Sequence, residues 1–546
     1  MGFSQAMSFG RAAPGGASLI DRPAGAVSWR VWSAWLALFG AYSMILPRDA
    51  SYDVVHYHLY LGWAFTEGRL GRDFAPADMH SFLNPYWQAL VWQALDHMPG
   101  RVAAFFLGAL QGLTLPVLYA LARRVLAAVE GSPPRALVVW AVAVSGFLAA
   151  PQILLMGSIR NDALTCLVFL AALTALFPPG GGAPRLGILA LASAGLGLVF
   201  GLKPTNAVYV LGFAAAAGTL FIGQAGGWQR LGVCAAAGAL GTALGAGPWA
   251  WHLWSQFGNP LFPMANHVFG APLGPEESFR DARYLPASLV DGLTWPFQAL
   301  RNGALINEYS FFDPRFPLAY LAALFMAGLA MARRDLPRPA LALALATLAT
   351  LAAWTAVFSI LRYGMAVWSL GPLLVATAIA ACRPGALCAR RAGLYAMAGA
   401  LALMSMTQTP GVRRVAWSDW AGPYVQVSVP EPERYEGAVI VFAGDVPSAF
   451  TAMGFPDTAT FTHAAPAPWS APALAKYRQA QVRPLIETGR PLFAVITVNK
   501  AHFPRTVARL ASGEGLSVET KACARLPTSF DAADAHWRVC PMEPIQ

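Results

Sequence analysis

Apolar stretches long enough to cross a lipid bilayer recur along the sequence between Val31 and Met406. A hydrocarbon core of about 30 Å needs roughly 20 mostly apolar residues when the chain crosses it as a helix. The composition agrees, because 56% of the residues are hydrophobic and only 12% are charged, whereas soluble domains carry about 25% charged residues. The sequence therefore predicts a polytopic α-helical membrane protein and excludes an ordinary soluble globular protein.

We predict eleven membrane spans from these runs, with each boundary placed where apolar residues give way to charged or turn-forming ones. The segment before the first span, 1–29, is too polar for a secretory signal peptide, so the first span is expected to stay in the protein. The predicted spans are 30–47, 102–122, 136–154, 163–178, 186–202, 206–223, 231–251, 317–332, 340–358, 364–381 and 392–407.

The distribution of cations predicts how these spans are oriented. Membrane proteins keep Lys and Arg on the cytoplasmic side, which accounts for the formal charge of +10 without nucleic acid as a partner. If the N-terminus is cytoplasmic, the short outer connections hold only three cations, Arg160, Lys203 and Arg362. We therefore predict that the N-terminus is cytoplasmic and the C-terminus is on the outer face. The short inner connections then hold eleven cations, which are Arg123, Arg124, Arg135, Arg185, Arg230, Arg333, Arg334, Arg338, Arg383, Arg390 and Arg391.

Three long stretches fall on the outer face in this arrangement, and they are 48–101, 252–316 and 407–546. The first two are loops within a transmembrane region that covers 30–406. The third is a separate soluble domain, and 1–29 is a cytoplasmic N-terminal segment.

The soluble tail mixes two kinds of hydrophobic pattern. The runs AVIVFAG at 438–444 and LFAVITV at 492–498 are typical of strands, whereas the stretch 472–489 has a helical pattern. The tail is therefore predicted to be a small α/β domain. It contains Cys523 and Cys540, which in an oxidising compartment either pair or remain free thiols.

The first outer loop opens with the string SYDVVHYHLYL, which concentrates polar and aromatic residues directly after an apolar span. If this string is helical, Asp53, His56, Tyr57 and Tyr60 lie on one face, because they are spaced i, i+3, i+4 and i+7. That face offers a carboxylate, an imidazole and two phenols to whatever binds above it.

A helix of this kind can also lie flat on the bilayer, with Val54 and Leu61 on the flank that touches lipid. In the alternative interpretation, Asp53 only caps the helix and the aromatic residues form an interfacial belt. The string by itself leaves both interpretations open.

Arg160, Lys203 and Arg362 run against the cytoplasmic bias of cations, and each lies where a span meets the outer surface. A cation at headgroup depth suits a phosphate, which Arg can bind through two hydrogen bonds. The alternative for any one of them is that it snorkels to lipid headgroups or caps its span. Three at one depth favour a phosphate-bearing lipid ligand, and Asp162 adds an acid at the same level.

The second outer loop interleaves aromatic residues with turn-forming steps in the string WHLWSQFGNPLFPMANHVFG. Its aromatic side chains either line a groove for an isoprenoid chain, stack on a sugar ring, or mark the membrane interface.

These strings resemble a known family. An Asp in the first outer loop after span one, followed by a Tyr/His-rich helix, is similar to the GT-C type of membrane glycosyltransferases, which includes aminoarabinose and protein O-mannosyl transferases. YDVVHYH resembles the catalytic-Asp segment of that group, RND after span three resembles its second acidic site, and GNPLFPMANHVFG resembles a loop of bacterial members. The resemblance covers residues 30–400 as layout, and a soluble outer tail is also usual there.

The resemblance implies a sugar donor linked to polyprenyl phosphate and used at the extracytoplasmic face of a bacterial inner membrane. Asp53 is then the general base that deprotonates an acceptor hydroxyl, with inversion at the anomeric carbon, and Asp162 is the second catalytic acid. The donor phosphate binds the three outward cations, Arg160, Lys203 and Arg362. The residues expected to line the substrate site are His56, Tyr57, His58, Tyr60, His80, Asn259 and Tyr363.

The expected partners are the polyprenyl-linked donor, membrane lipids, and an acceptor that is a lipid, a glycan or a protein. Asp53 is followed by Val54, whereas many members of the family place two acids together. We therefore predict no required cofactor and no metal site, while a divalent metal stays possible.

Two other functions remain open at this point. A transporter or flippase for a polyprenyl-linked glycan also needs many spans and outward cations, and the Gly-rich seventh span suits it. The predicted spans are nearly free of charge, however, which favours chemistry at the surface over passage through the bilayer. A non-enzymatic envelope scaffold finds support only in the tail.

Overall fold

The computed structural model describes residues 22–277, 281–333, 335–466, 471–498, 502–531 and 536–545. Two features of the predicted topology, the first 21 residues of the N-terminal segment and the inner cation Arg334, lie outside these residues. The described α-helices are α1 (Trp29–Ile45), α2 (Leu59–Thr66), α3 (Tyr86–His97), α4 (Gly100–Gly112), α5 (Thr114–Glu130), α6 (Ala136–Phe147), α7 (Ala150–Leu154), α8 (Asp162–Ala175), α9 (Leu186–Leu202), α10 (Ala207–Phe221), α11 (Gly227–Phe257), α12 (Asn266–Phe269), α13 (Leu289–Arg301), α14 (Arg315–Arg333), α15 (Arg338–Val357), α16 (Met365–Cys382), α17 (Ala392–Met406), α18 (Ala471–Tyr477), α19 (Arg483–Ile486) and α20 (His502–Glu514).

Every predicted span falls on a helix, so the polytopic α-helical fold class is confirmed. Six helical stretches of the described chain are long and apolar enough to cross a membrane, and α6, α8, α9 and α17 are shorter apolar helices. Three spans differ from the prediction. The span 102–122 is divided between α4 and α5 and continues to Glu130, and the span 136–154 is broken between α6 and α7. Helix α11 runs for 31 residues, past the predicted end at position 251.

Helices α9 and α11 pack with their backbones in near contact. A Cβ atom added at Gly197 in α9 would lie 2.0 Å from the carbonyl oxygen of Gly238, and one at Gly241 would lie 2.0 Å from that of Ala194. Small residues permit this approach, which is a common way for helices to associate in a bilayer. The Gly-rich seventh span is thus explained by packing.

The tail contains a mixed sheet, as the predicted α/β class requires. Its strands follow the order β4-β3-β5-β8-β6, with β7 also paired to β8; β3 is parallel to β4 and β5, whereas β8 is antiparallel to its neighbours. A disulfide joins Cys523 to Cys540. The strands are β1 (Arg48–Asp49), β2 (Arg414–Val415), β3 (Val439–Ala443), β4 (Thr460–Ala464), β5 (Leu492–Val498), β6 (Leu516–Val518), β7 (Ala524–Leu526) and β8 (His536–Pro544).

The first loop, 48–101, packs against the tail and is held there by strand pairing and buried hydrogen bonds. Strand β1, directly after the first span, pairs with β2, which lies shortly after the last span. Arg69 is 1% exposed, forms an ion pair of 2.9 Å with Asp73, and donates to the carbonyl oxygens of Asp457 and Ala459. Such a buried pair is stable only because both partners are satisfied. The loop and the tail therefore form one packed unit.

This packing corrects one expectation about the helix after the first span. Val54 and Leu61 were predicted to touch lipid, but both are completely buried in a core shared with tail residues such as Tyr435 and Phe461. Their flank faces protein, because the tail covers the first loop.

Candidate active site

The string SYDVVHYHLYL forms a helix from Tyr52 that continues into α2, and Val54–His58 make a π-helical turn within it. A π turn bonds i to i+5 and changes which residues share a face, and such turns are frequent at functional sites. Tyr57 stacks on His80 with ring centroids 4.8 Å apart. Tyr60 instead turns away and donates to Asp73 Oδ2 at 2.9 Å. The predicted face is therefore divided between two surroundings.

Asp53, Asp162, Lys203 and Arg362 meet in one group, which we name the carboxylate–cation group. Arg362 Nη2 lies 2.6 Å from Asp53 Oδ2, and Arg362 Nε lies 3.7 Å from Asp162 Oδ2. Lys203 Nζ lies 2.6 Å from Asp162 Oδ1. The four side chains are between 2% and 17% exposed, so their charges interact in a poorly hydrated place.

Helix ends bring this group together. Asp162 is the first residue of α8, Lys203 directly follows α9, and Arg362 lies in the 3₁₀ turn that leads into α16. Tyr363 borders both cations, with its ring centroid 4.3 Å from Lys203 Nζ and 5.0 Å from the guanidinium carbon of Arg362. The group thus lies where the membrane helices meet the first loop.

Arg160 lies beside the group but is held by a partner of its own. Its Nη2 is 3.1 Å from Asp49 Oδ2, and its Nε donates to Ser158 Oγ at 3.0 Å. Asp49 is fully buried and also accepts from the Ser158 hydroxyl and the Ser51 amide. Asp49 was not among the predicted site residues, although it stands only four positions before Asp53.

Asp53 has a pKa well below its usual range. Burial is the largest single influence and raises this pKa, but the charge of Arg362 and smaller contributions that include Arg160 together outweigh it. A nearby positive charge favours the ionised carboxylate in this way. Asp53 is therefore a carboxylate at neutral pH.

His58 is neutral for a related reason. Burial is the main cause that lowers the pKa of His58 to about 3, and it outweighs the opposite influence of Asp53. The amide nitrogen of Gln88 lies 3.0 Å from His58 Nδ1. With that amide as donor, the ring proton lies on Nε2.

A histidine cluster, made of His56, His80 and His463, adjoins the helix on its tail side. The ring centroid of His56 lies 5.1 Å from that of His80 and 6.5 Å from that of His463. Burial is the main cause that lowers the pKa of all three. His463 belongs to β4 and was not predicted, because nothing in its local sequence marks it.

Two residues predicted to line the substrate site lie apart from the carboxylate–cation group. Asn259 is fully buried in the second loop, where it donates to Met264 O at 2.9 Å and to Asn266 Oδ1 at 3.2 Å. It stabilises a turn because these bonds occupy its amide. Tyr60 is the second, and its hydroxyl is directed to Asp73. Among the described residues, no group of three or more His, Cys, Asp or Glu side chains is arranged to hold a metal ion.

No family model and no curated protein matches this chain. Among solved structures it is similar to ArnT from Cupriavidus metallidurans in the apo state, with 14% identity and a TM-score of 0.52, over 94% of this chain and 97% of that one. It is also similar to the same protein bound to undecaprenyl phosphate, with 15% identity and a TM-score of 0.49 over the same shares. The likeness to the apo structure concerns the fold, and at that level it confirms the resemblance to the GT-C type of membrane glycosyltransferases.

Proposed function

We propose that the protein is a glycosyltransferase that moves a sugar from a polyprenyl-phosphate donor to an acceptor hydroxyl. The observation that carries the proposal is the carboxylate–cation group, in which Arg362 contacts both Asp53 and Asp162. Asp53, a carboxylate that is ionised at neutral pH, contacts Arg362 directly, and Lys203 joins the same group through Asp162. Both cations suit a phosphate. Transfer from a phosphate ester needs both kinds of group in one place.

In the proposed reaction, the acceptor oxygen attacks the anomeric carbon and the bond between that carbon and the phosphate oxygen breaks. The bonding electrons leave with the polyprenyl phosphate, and the acceptor proton passes to Asp53. A positioned base contributes about 10²- to 10⁴-fold. The leaving phosphate gains negative charge, so Lys203 and Arg362, with Arg160 close by, stabilise it.

Arg362 couples the binding of the donor phosphate to the strength of Asp53 as a base. While it is paired with Asp53 at 2.6 Å, it keeps the pKa of Asp53 low, and a low pKa makes a weak base. A donor phosphate competes for the same guanidinium, and when it binds, Asp53 loses part of this stabilisation. The base therefore gains strength when the donor is present.

The remaining predicted site residues take supporting roles in this proposal. Tyr57, His58, His56 and His80 border the carboxylate from the same helix and the first loop, and Tyr363 covers the cations. Asp162 holds Lys203 in place and completes the acidic pair.

The lipid part of the donor is inferred from the sequence resemblance to the GT-C glycosyltransferases and from the outward cations Arg160, Lys203 and Arg362, which suit a phosphate. ArnT from Cupriavidus metallidurans was crystallised bound to undecaprenyl phosphate. We place the site at the extracytoplasmic face of a bacterial inner membrane, since the cations of the inner connections predict that orientation. The tail, 407–546, then lies outside the cell membrane above the transmembrane region.

The test uses purified full-length protein in detergent with a labelled polyprenyl-phosphate sugar. Wild-type protein should release polyprenyl phosphate, and Asp53→Asn should abolish release because the amide cannot accept the proton. Asp96→Asn is the matched control, since Asp96 lies in the same loop with its side chain 56% exposed. Release that persists in Asp53→Asn, or movement of the lipid without bond cleavage, would contradict the proposal.

A further inference from the structure

A cavity, which we name the aromatic cavity, lies between the first loop, the end of α11 and the tail. Its volume is about 310 Å³, which is within the range of pockets that bind small molecules. The carboxylate–cation group does not line it. Nothing in the reaction described above uses this space.

Aromatic rings form much of its wall. Trp249 from α11, Phe82 from the first loop and Tyr477 from α18 face it from three sides. Trp249 is fixed in place, because its Nε1 donates to the carbonyl oxygen of Phe82 at 3.0 Å and its ring stacks on His252. Rigid aromatic faces bind the C–H-bearing faces of a sugar ring by burying apolar surface.

Hydrogen-bonding side chains complete the lining. Ser81, His252, Gln256 and Gln481 contribute a hydroxyl, an imidazole and two amides, and these groups both donate and accept. A few polar groups among aromatic walls are the composition expected of a site that orients a hydroxyl-rich ligand.

The charges of the lining residues limit the class of ligand that the cavity can bind. None of the described residues that line it is Lys or Arg, and the one acid, Asp73, already pairs with Arg69. A phosphate placed here would be desolvated beside a carboxylate with no cation facing it, which is unfavourable. The lining therefore selects an uncharged ligand over a phosphorylated one.

The cavity is also close to the proposed base. Tyr60 lines it and lies seven residues after Asp53 in one continuous helical stretch, which at 1.5 Å per residue is roughly 10 Å along the axis. We propose that the aromatic cavity binds an uncharged sugar residue of the acceptor, next to the residue whose hydroxyl reaches Asp53. This identification of the acceptor as an uncharged glycan rests on the transfer reaction proposed above.

Gly71 offers a way to close the cavity. It lines the cavity, and a Cβ added to it would meet nothing within 4 Å, so a side chain can be introduced there and Gly71→Trp adds an indole at the cavity wall. Gly513→Trp is the matched control, because Gly513 in α20 is equally open and lies outside the cavity. Gln481→Lys adds a cation at an exposed lining position.

Binding is measured with full-length protein in lipid nanodiscs on an array of uncharged oligosaccharides and of the same glycans carrying a phosphate monoester. Wild-type protein should bind uncharged glycans. Gly71→Trp should weaken this binding by about tenfold or more, about 1.4 kcal/mol, because the indole competes with the sugar for the same space, while Gly513→Trp leaves it unchanged. Gln481→Lys should shift the preference towards phosphorylated glycans.

Three outcomes would overturn the inference: no binding of uncharged glycans, a wild-type preference for the phosphorylated set, or equal effects of the two tryptophan variants. Asp53→Asn separates this result from the proposed function, because it should bind glycans like the wild type while losing release of polyprenyl phosphate. If Asp53→Asn keeps full release, the proposed reaction fails whatever the array shows.

Discussion

Arg362→Gln is the substitution that tests most directly how the base and the phosphate site are coupled. Arg362 lies 2.6 Å from Asp53 and 3.7 Å from Asp162, so its removal leaves two partly buried carboxylates with less positive charge nearby. Burial then dominates the pKa of Asp53 and raises it. The variant should therefore lose phosphate stabilisation at every pH, and at acidic pH it should also lose the base, because Asp53 becomes protonated there.

The size of the second effect follows from Coulomb's law. Unit charges about 4 Å apart interact by about 4 kcal/mol at an effective dielectric constant of about 20. The side chains of Arg362 and Asp53 are 15% and 14% exposed, and solvent screening at that exposure reduces the interaction to roughly 3 kcal/mol. Since 1.36 kcal/mol corresponds to one pKa unit, the pKa of Asp53 should rise markedly in the variant, from well below its usual range back towards that range.

The assay is the release of polyprenyl phosphate measured between pH 4.5 and 8. Wild-type kcat/KM for the donor, which reports the free protein, should show no loss from Asp53 between pH 7 and 5, because the carboxylate stays ionised there. Arg362→Gln should be about 10²- to 10³-fold slower at pH 7, since one phosphate-stabilising group is gone, and its kcat/KM should fall further towards the acidic end of the range. Lys203→Gln is the matched control, because Lys203 pairs with Asp162 and not with Asp53. An unchanged pH profile in Arg362→Gln, or the same new acid limb in Lys203→Gln, would refute the coupling.

Three further predictions concern stability. The histidine cluster has pKa values below the ordinary 6.5 in the folded state, so the unfolded chain binds more protons and the stability falls as the pH drops below about 6.5. The loss at pH 5.5 is at most about 1.4 kcal/mol for each histidine, and thermal unfolding at pH 7.5 and 5.5 should differ less in His463→Gln than in the wild type. Replacing Cys523 and Cys540 by Ser removes a bridge across 17 residues, which should cost about 3 kcal/mol and lower the unfolding temperature of the tail, and an unchanged temperature would show that the bridge does not constrain it. Gly197→Val should prevent α9 and α11 from packing, because its Cβ would lie 2.0 Å from a carbonyl oxygen. In the control variant Gly187→Val the added Cβ meets nothing within 4 Å, so this protein should fold normally. Fluorescence-detected size exclusion compares the folding of the two variants.

The cations of the candidate site could be predicted because their positions run against the cytoplasmic bias of Lys and Arg. Arg160, Lys203 and Arg362 stood out because cations are rare in outer connections, and the structure places all three near Asp53 and Asp162. The helical ends that position them follow from the apolar runs. The sequence pattern was sufficient because each signal is local.

What could not be predicted depends on distant contacts or on local irregularity. His463 approaches His56 only because β4 packs over the first loop, and these residues are about 400 positions apart in the chain. The π turn at Val54–His58 has no periodic signature, so the sequence pattern did not show that the Tyr60 hydroxyl is directed to Asp73. Asn259 looked like a ligand-binding residue, but an Asn in a Gly-Asn-Pro step more often stabilises its own turn.

The two proposed sites differ in charge, so the carboxylate–cation group favours the donor phosphate and the aromatic cavity favours the uncharged acceptor glycan. A phosphate that entered the aromatic cavity would meet Asp73 and no cation, and an uncharged glycan at the carboxylate–cation group would leave Arg362 paired with Asp53. Only a donor phosphate competes for that guanidinium, and only then does the pKa of Asp53 rise towards that of a useful base. The acceptor can therefore occupy its cavity at any time, but its hydroxyl loses a proton to Asp53 efficiently only after the donor has bound.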